Sequence, residues 1–369
     1  MNHLVLLGGG EAHLFVLDAI RRGKLRGADV TLIAPQSAEP WPPMVAGIVA
    51  GRYRTDEALP DVAQLAAAAG VRRIQGAVER IDAGRRTIHV AGADPVSWDI
   101  LSIAVRPEPT AGALGAHPAR PASKAAEIPQ RLETAVGGGS QLSVVVVGGG
   151  IRGFEIACAV RRRLGAMNRG FGDRVTLVER GPQVLPRFSP AAARAAERVL
   201  VRQRVGIATG ATAVDGEGAT LHFDHGGSTR ADLLIWAGDT IPPTWLAASG
   251  LEADERGFVA TDAGLRSVSH PEVFASGGAG RIREGGHADR RTRPARRDAT
   301  ALLRGLAAAL KGDLAALHRP SRPVATFIDT SDGRALVLGK NLAVHSTAAL
   351  YLKERRDREL MQRLRTAAG

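Results

Sequence analysis

The sequence predicts an α/β protein with two interleaved, three-layer Rossmann-type domains and a small α/β appendage at the carboxyl end. Three observations lead to this prediction. Two glycine-rich turns, at residues 8–10 and 148–153, each follow an apolar run and precede a helical pattern. A block with the alternation typical of antiparallel strands follows each turn. The length of 369 residues is also too great for one ordinary core and suits two or three domains.

The first glycine-rich turn opens a βαβ unit. An apolar run, His3–Leu7, comes directly before the turn that contains Gly8 and Gly10. The next residues repeat apolar side chains at helical spacing, and a second apolar run, Val30–Ile33, follows. His13 stands where a third glycine would complete the usual motif. We therefore expect a strand, a tight turn, a helix and a parallel strand.

The second glycine-rich turn has the complete spacing G-x-G-x-x-G. Val144–Val147 is β-branched throughout, as expected of a strand that is buried on both faces. Gly148, Gly150 and Gly153 follow it and open a second helical pattern. The next strand, Arg174–Val178, ends at about the distance from the glycines that a mononucleotide-binding unit requires.

The blocks after the two turns have the same plan. Residues 73–92 alternate and turn like a hairpin around Asp82–Gly84, and a comparable block follows the second unit. From about Arg319 the chain changes character, with a predicted hairpin at Asp332-Gly333 and then a basic helix. We predict one discontinuous domain over residues 1–107 and 257–318, a second over residues 108–256, and an appendage over residues 319–369.

Composition excludes several classes of protein. Cys158 is the single cysteine, so the chain has no intramolecular disulfide, redox-active cysteine pair or cysteine-built metal site. The amino terminus lacks the features of a signal peptide, and no apolar run approaches the roughly 20 residues needed to span a bilayer. The formal net charge is +12. These observations predict a cytoplasmic protein, either free or peripheral to the inner membrane face through the basic carboxyl-terminal helix.

This order of motifs resembles the two-dinucleotide-binding-domain flavoproteins, the superfamily of the pyridine nucleotide-disulfide oxidoreductases. Within them it is most similar to type II NADH dehydrogenases, in the branch sometimes joined to selenide, water dikinase. The resemblance covers nearly the whole chain and is most specific in residues 245–278, WLAASGLEADERGFVATDAGLRSVSHPEVFASGG. Other matching segments are LLGGGEAH, WPPMVAGIVAGRY, VVVVGGGIRGFE and YLKERRDRELM.

The resemblance implies FAD on the first unit and NAD(P)H on the second. Hydride would pass from the nicotinamide to the flavin, and then its electrons would pass to a small-molecule acceptor that is not a thiol. The implied flavin-binding residues are Gly8, Gly10, His13, Gly277 and Gly278. The implied nicotinamide-binding residues are Gly148, Gly150, Gly153 and Glu179.

Two acids beside the second turn suggest particular functions. Glu179 ends the second strand and is placed to bind the adenosine ribose hydroxyls, which favours NADH, although Arg180 could instead contact the 2′-phosphate of NADPH. Glu155 follows the third glycine by two residues. In the family a glutamate here lies near the two reacting rings, so the resemblance implies a catalytic proton relay. The alternative is an ordinary acid in the first helical turn, stabilised by the helix dipole.

Four residues of the first unit depart from a flavin site. Glu11 would repel the FAD diphosphate, and Ala34 stands where many relatives have an acid for the ribose. Arg106 replaces a glycine that lies against the cofactor, and Gly278 replaces the aspartate of a Gly-Asp motif. A lost hydrogen bond to a buried group costs about 1–3 kcal/mol, so one change would only weaken binding. Together they raise the alternative of a flavin-poor or flavin-free descendant that binds a nucleotide for regulation or for a reshaped reaction.

A cluster of arginines follows the changed Gly-Asp motif. Such a loop suits a phosphate or carboxylate better than an apolar quinone, but it could also be a solvated loop. Base-stacking aromatic residues do not interleave with these arginines, so nucleic acid is not expected as a partner. His270 and His287 lack neighbours at metal-ligand spacing, and no metal site is predicted. The arginines in question are Arg281, Arg283, Arg290, Arg291, Arg293, Arg296 and Arg297.

Overall fold

A computed structural model describes residues 2–35, 39–110, 114–137, 141–167, 172–217, 219–284, 287–289, 295–313, 325–339 and 342–365. Up to residue 136 the elements are, in chain order, β1 (Asn2–Leu7), α1 (Glu11–Arg21), β2 (Ala28–Ile33), α2 (Val45–Val49), α3 (Val62–Ala68), β3 (Arg72–Ile74), β4 (Val78–Asp82), β5 (Thr87–Val90), β6 (Val96–Ser97), β7 (Ile100–Ile103), β8 (Glu108–Pro109), β9 (His117–Pro118), α4 (Ala122–Ala126) and α5 (Ile128–Val136).

The elements that follow are β10 (Ser143–Val147), α6 (Ile151–Ala166), β11 (Arg174–Glu179), α7 (Pro190–Arg202), β12 (Gly206–Thr209), β13 (Ala213–Glu217), β14 (Thr220–Phe223), β15 (Ser228–Arg230), β16 (Leu233–Trp236), β17 (Thr240–Ile241), α8 (Thr244–Ala247), β18 (Val259–Thr261), β19 (Val273–Ala275), β20 (Gly280–Glu284), β21 (His287–Asp289), α9 (Ala295–Ala309), β22 (Thr326–Asp329), β23 (Ala335–Leu338), β24 (Ala343–Ser346) and α10 (Thr347–Arg365). Two short 3₁₀ helices, Pro42–Met44 and Thr55–Ala58, lie in the segment around α2.

The first domain has three layers around a parallel sheet in the order β19-β7-β1-β2-β3. Successive side chains of a strand point to opposite faces, and β1 shows the consequence. Leu4 and Leu6 pack with the helical layer that contains α1 and α9, whereas Val5 and Leu7 pack against the antiparallel β4-β5-β6 sheet. Since β19 comes from residues far along the chain, this sheet combines two separate stretches of the sequence.

The second domain repeats this plan. Its parallel sheet has the order β12-β11-β10-β16-β9, and the antiparallel β13-β14-β15 sheet covers one face. Val144 and Val146 pack towards α6 and α7, whereas Val145 and Val147 pack towards the antiparallel sheet. The chain crosses between the two sheets through β8 and β17, which pair with each other.

The appendage joins the two domains. Its predicted hairpin is present as β22 and β23, and β24 adds a third antiparallel strand that the sequence did not indicate. Ile328, Leu336 and Leu338 belong to the core of the second domain. Met361 and Leu364, near the end of α10, belong to the core of the first domain. The appendage therefore contacts both domains on the side where α2 and α6 meet.

Candidate functional site

The second glycine turn joins β10 to α6 and needs glycine for two different reasons. A Cβ on Gly153 would lie 1.8 Å from the Gly148 carbonyl oxygen, and one on Gly148 would lie 2.7 Å from the Gly238 backbone. Gly148 also has a φ of +109°, which disfavours other residues. A Cβ on Gly150 would meet no atom within 4 Å. The turn thus packs tightly against its own sheet and leaves open space beside the amino end of α6, where a phosphate is favoured.

Glu179 is at the end of β11, as predicted, but its carboxylate already has backbone partners. Its side chain is buried and accepts hydrogen bonds from the Gly149 N–H at 2.7 Å and from the Gly181 N–H at 2.8 Å. A carboxylate has about four lone-pair sites, so it can still accept from ribose hydroxyls. Arg180, by contrast, forms an ion pair with Asp239 at 2.8 Å. The guanidinium group of Arg180 is therefore engaged by an acid of the same domain.

The first glycine turn, between β1 and α1, has a similar backbone. The Gly8 N–H donates to the Ile33 carbonyl at 2.7 Å, as the Gly148 N–H donates to the Val178 carbonyl at 2.8 Å. A Cβ on Gly8 or Gly10 would lie 2.6 or 2.4 Å from the Ala104 carbonyl oxygen. The glycines are needed here because the turn lies directly on the chain that leaves β7.

His13 supports this turn from behind, and both of its ring nitrogens have partners within the protein. Its ring is fully buried, with Nδ1 2.6 Å from the Gly8 carbonyl oxygen and Nε2 2.8 Å from Ser102 Oγ. Because a carbonyl only accepts, Nδ1 bears the proton and Nε2 accepts from the serine. Burial lowers the pKa of His13 to about 4. The imidazole is a neutral structural group that faces the sheet, because the third position of the motif points towards β7.

A cavity of about 370 Å³ lies between the two domains, in front of the first glycine turn. Gly9, Gly10 and Glu11 line it from the first turn, whereas Arg152 of α6 and Gly238 line it from the second domain. Gly277 and Gly278, two of the residues predicted to bind the flavin, also line it. The volume is near the lower end of the roughly 300–1,000 Å³ typical of ligand pockets.

Glu11 is the first residue of α1 and lines this cavity. Burial raises the pKa of its carboxyl group, and the positive charges of Arg152, Arg120 and Arg106 oppose that rise. An anion placed at the amino end of α1 would meet this carboxylate, as expected from the sequence. The surrounding guanidinium groups, however, offset a large part of the repulsion.

The missing aspartate of the Gly-Asp motif is explained by a neighbour. A Cβ on Gly278 would lie 2.1 Å from Cδ of Pro107, so no side chain fits here unless Pro107 moves. Two buried hydroxyl oxygens close by, Thr261 Oγ1 and Ser276 Oγ, have no hydrogen-bond partner among the described residues. Both residues line the cavity. The position of the acid is therefore closed by Pro107, and two buried hydroxyl groups of cavity-lining residues lack a partner among the described residues.

The other two departures also have structural consequences. Ala34 does not line the cavity. It packs against Gly9 together with Val62 of α3, and the two Val62 methyl groups would lie 3.7 Å from a Cβ placed on Gly9. Arg106 lines the cavity and lies 3.4 Å from Glu39. Glu39 also accepts hydrogen bonds from the backbone and hydroxyl groups of Ser123. Arg106 thus contacts an acid instead of turning away to solvent.

Glu155 lies in the first turn of α6, but the structure does not place it among the residues that line the cavity. It is buried, and its carboxylate accepts a hydrogen bond from the Asp329 N–H at 3.0 Å. Burial raises the pKa of Glu155 to about 7, although the charges of Lys353 and Arg152 oppose the rise. Glu155 therefore lies under the appendage, one helical turn from Arg152, and its predicted catalytic function stays a prediction.

Of the arginines that follow the changed Gly-Asp motif, the structure describes the side chains of two. Arg281 lines the cavity and stacks on Phe258 at 3.6 Å, and Arg283 pairs with Glu252. Arg290, Arg291 and Arg293 lie outside the described residues, as do the side chains of His287, Arg296 and Arg297. Burial raises the pKa of the Cys158 thiol well above its usual value, consistent with a structural cysteine. The described residues contain no cluster of three His, Cys, Asp or Glu side chains suited to a metal ion.

Sequence analysis missed the cationic residues that enter the cavity from the second domain. Arg120, Arg152 and Arg187 line it, and they come from the loop after β9, from α6 and from the loop after β11. Only Arg152 had a recognisable signal, because a charged residue inside a phosphate-binding glycine motif is unexpected. The other two are brought to the cavity by tertiary folding.

Comparison with known proteins shows the family to which the chain belongs. Residues 2–292 match the family model described as pyridine nucleotide-disulphide oxidoreductase. Demethylphylloquinone reductase NdbB of Synechocystis is 26% identical over 294 residues, covering 74% of this chain and 70% of the relative. An NADH dehydrogenase-like protein of Mycobacterium tuberculosis is 28% identical over 231 residues, covering 57% of this chain and 55% of the relative.

Solved structures share the fold at low sequence identity. Sulfide:quinone oxidoreductase of Aquifex aeolicus superposes with a TM-score of 0.85 at 15% identity, covering 100% of this chain and 92% of the neighbour. NDH2 of Plasmodium falciparum, solved with NADH, has a TM-score of 0.77 at 12% identity, covering 100% of this chain and 97% of the neighbour. The predicted fold class is confirmed.

Proposed function

Since the chain belongs to the pyridine nucleotide-disulphide oxidoreductase family of NAD(P)H-dependent flavoprotein oxidoreductases, we propose that it oxidises NAD(P)H through FAD and reduces an acceptor that is not a thiol. The observation that supports this proposal most is the cavity between the two domains, which Glu11 lines at the start of α1 and Arg152 lines in the first turn of α6. Two nucleotides bound at the two turns would direct their reactive ends towards this space.

The second turn fits NAD(P)H. The open space beside Gly150 admits a diphosphate to the amino end of α6, where N–H groups and the helix dipole favour negative charge. Glu179 would accept from the ribose while it keeps its bonds to Gly149 and Gly181. We propose NADH as the preferred donor because the nearest cation, Arg180, is held by Asp239.

The first turn fits FAD with an altered set of contacts. The amino end of α1 faces the cavity, Arg106 and Arg120 oppose the charge of Glu11, and the buried hydroxyls of Thr261 and Ser276 lack partners. These residues would hold the diphosphate and the polyol chain in place of the missing aspartate. When bound, the flavin supplies the group that accepts hydride from the nicotinamide.

Proton supply is the function that we propose for Glu155. Reduction of most acceptors by two electrons also consumes protons, and a carboxyl group with a pKa of about 7 holds a proton for a large part of the time near neutral pH. Glu155 is separated from the cavity by about one helical turn, so it would exchange protons with the acceptor through other groups. Glu11, one of the acids that line the cavity, would be such a group.

The visible absorption spectrum tests the flavin directly. We expect the purified protein to be yellow, to release FAD in stoichiometric amount on denaturation, and to lose its colour when NADH is added without oxygen. A colourless protein that binds NADH but no added FAD would instead favour the flavin-free alternative. The specific observation behind that alternative is the contact of Pro107 with Gly278, which closes the position of the usual acid.

We also propose peripheral membrane contact through the appendage. No helix among the described residues has both the length and the apolar character needed to cross a bilayer. The appendage nevertheless exposes large apolar side chains on β24 and the start of α10, and Arg355, Arg356 and Arg358 are exposed further along that helix. The exposed apolar residues are Leu342 (55%), Val344 (41%), Tyr351 (62%) and Leu352 (45%).

Replacing Leu352 by glutamate should weaken this membrane contact. Loss of one partly buried apolar contact, together with an added negative charge, should reduce binding to vesicles that contain anionic lipid by about tenfold. Co-sedimentation with anionic and with neutral vesicles measures the effect. Val268→Glu is the matched control, since Val268 is 43% exposed and lies outside the appendage. Equal binding of the wild type and both variants would refute the contact.

A further inference from the structure

The fold brings together two segments that resemble the family, WPPMVAGIVAGRY and YLKERRDRELM, although they lie far apart in the sequence. Trp41 Nε1 donates a hydrogen bond to Asp357 Oδ1 at 3.1 Å, across 316 positions of the chain. Lys353 Nζ donates to the Pro43 carbonyl oxygen at 2.5 Å. Helix α10 of the appendage therefore holds the start of the first segment, residues 41–43.

The two prolines make this start of the segment stiff and dependent on donors from elsewhere. Proline fixes its own φ, restricts the residue before it to an extended backbone and has no N–H. Trp41 accordingly has φ −61° and ψ 113°. The Pro42 carbonyl accepts from Arg152 Nη1 of α6 at 3.1 Å, and the Pro43 carbonyl accepts from Lys353. Successive carbonyl groups are thus bound by cationic side chains from the second domain and from the appendage.

Lys353 and Asp357 form a buried ion pair on α10, one helical turn apart, with Nζ 2.9 Å from Oδ2. Burial by itself lowers the pKa of the Lys353 ammonium group, but neighbouring carboxylates, Asp357 first among them, raise that pKa above its usual value. The lysine is therefore charged. A buried ion pair regains little more than the free energy lost on desolvation, so it is a weak source of stability. What this pair adds is its contact with Trp41 and Pro43.

Trp41 and Pro42 form part of the cavity wall beside the first glycine turn. Both line the cavity, as Gly9 and Gly10 of that turn do. The Trp41 ring also meets the ring of Phe15 in α1 edge-on, with the centroids 6.1 Å apart. The indole is therefore fixed by α1 through its ring and by α10 through its N–H.

We propose that Lys353 and Asp357 are positioning residues of the cofactor site, which act through Trp41 and Pro43 to set this wall of the cavity. Neither is among the described residues that line the cavity, so their influence on a bound flavin is indirect. The inference rests on the proposed function for the statement that FAD binds at the first turn. Without the pair, the indole N–H and the Pro43 carbonyl would turn towards other partners, and the wall would shift.

Other contacts keep α10 in place when this pair is removed. Arg52 pairs with Glu354 at 2.9 Å and also with Asp329 of β22. Met361 and Leu364 are buried in the core of the first domain. Removal of the buried pair should therefore change the wall of the cavity and not the attachment of the appendage.

The double variant Lys353→Met/Asp357→Leu separates positioning from stability. Each single substitution leaves one buried charge unpaired and should lower the urea midpoint, whereas the double variant removes both charges and should recover most of that loss. Urea denaturation is measured at pH 6, because Glu155, with a pKa of about 7, is mostly protonated there and does not need the charge of Lys353.

Release of FAD from the holoprotein after dilution, followed by the fluorescence of free flavin, reports on the cofactor site. We expect the double variant to release FAD at least about tenfold faster than the wild type, the change expected for loss of a hydrogen bond to a charged group. The stability of the variant should recover, whereas its hold on FAD should not.

Acrylamide quenching of tryptophan fluorescence provides a second measurement that does not depend on FAD. The difference between each protein and its Trp41→Phe form isolates Trp41 from the other three tryptophans. Trp41 is buried in the wild type and should become accessible to acrylamide in the double variant. A wild type that binds no FAD would contradict the proposed function, whereas the accessibility of Trp41 would still decide the positioning.

Arg355→Met/Glu359→Leu is the matched control, because it removes an ion pair of the same spacing, 2.7 Å apart, from the exposed side of α10. The control should release FAD at the wild-type rate. Three results would overturn the proposal: recovery of wild-type FAD release together with stability in the double variant, Trp41 as protected there as in the wild type, or equally fast release of FAD from the control.

Discussion

Replacing Gly150 by glutamate should abolish NADH binding and leave the protein folded. Gly150 has an extended backbone conformation, with φ −69° and ψ −179°, that any residue can adopt. A Cβ there meets nothing within 4 Å, so the side chain fits without displacing the turn. The new carboxylate, however, would lie beside the amino end of α6 and compete with the diphosphate for the same N–H donors. We expect affinity to fall by at least about 100-fold, or roughly 2.7 kcal/mol.

Two further variants isolate the cause of that loss. Gly150→Ala adds bulk without charge, so it measures the steric part and should bind NADH more tightly than Gly150→Glu. Gly165→Glu places the same acid at the other, exposed end of α6, where a Cβ also meets nothing within 4 Å, and should bind as the wild type does. Fluorescence titration with NADH provides the measurement. Unchanged NADH affinity in Gly150→Glu would refute our placement of the nicotinamide site.

Replacing Glu155 by glutamine should stabilise the protein at alkaline pH and leave its stability near pH 4.5 almost unchanged. The pKa of Glu155 is raised from 4.5 to about 7, mainly by burial, so the folded state binds this proton more tightly than the unfolded state. The contribution of protonated Glu155 to the free energy of unfolding is therefore fully present below pH 4.5. It decreases as the pH rises and is lost above about pH 7. The loss amounts to about 3 kcal/mol at most.

Glutamine keeps an oxygen to accept from the Asp329 N–H but cannot ionise, so the variant avoids this loss. Urea denaturation at pH 5, 6, 7 and 8 should show a growing difference in favour of the variant. Glu133→Gln is the control, because Glu133 is 54% exposed and pairs with Arg163 at the surface. A constant difference across this pH range would contradict the assignment. If Glu155 also supplies protons, turnover should fall in the variant while NADH affinity stays the same.

The glycine turns were predictable because their requirements are local. A parallel strand, a tight turn and a helix amino end follow one another within about 20 residues, and their apolar periodicity changes at the turn. Val144–Val147 and Gly148 to Gly153 therefore indicated both the element order and the site before any contact was known. The duplicated blocks after each turn were recognised in the same way.

The chemistry of the cavity was not predictable in the same way. His13 was expected to contact a cofactor, yet its partners are Gly8 and Ser102, the latter 89 residues away. Glu155 was expected beside the reacting rings, yet it accepts from Asp329, 174 residues away. In both cases the competing partner comes from another element, and a polar group that becomes buried must find whichever partner folding brings near.

The sequence alone determined the duplicated α/β architecture, the family and the position of the second glycine turn, because glycine spacing and strand periodicity depend on neighbouring residues. Only the tertiary structure decided how the first site differs from a usual flavin site. Pro107 closes the side of Gly278, Arg106 meets Glu39, and Arg120 enters the cavity from the other domain. These outcomes depend on distances between residues far apart in the chain, and the strength of charge interactions changes steeply with such distances and with burial.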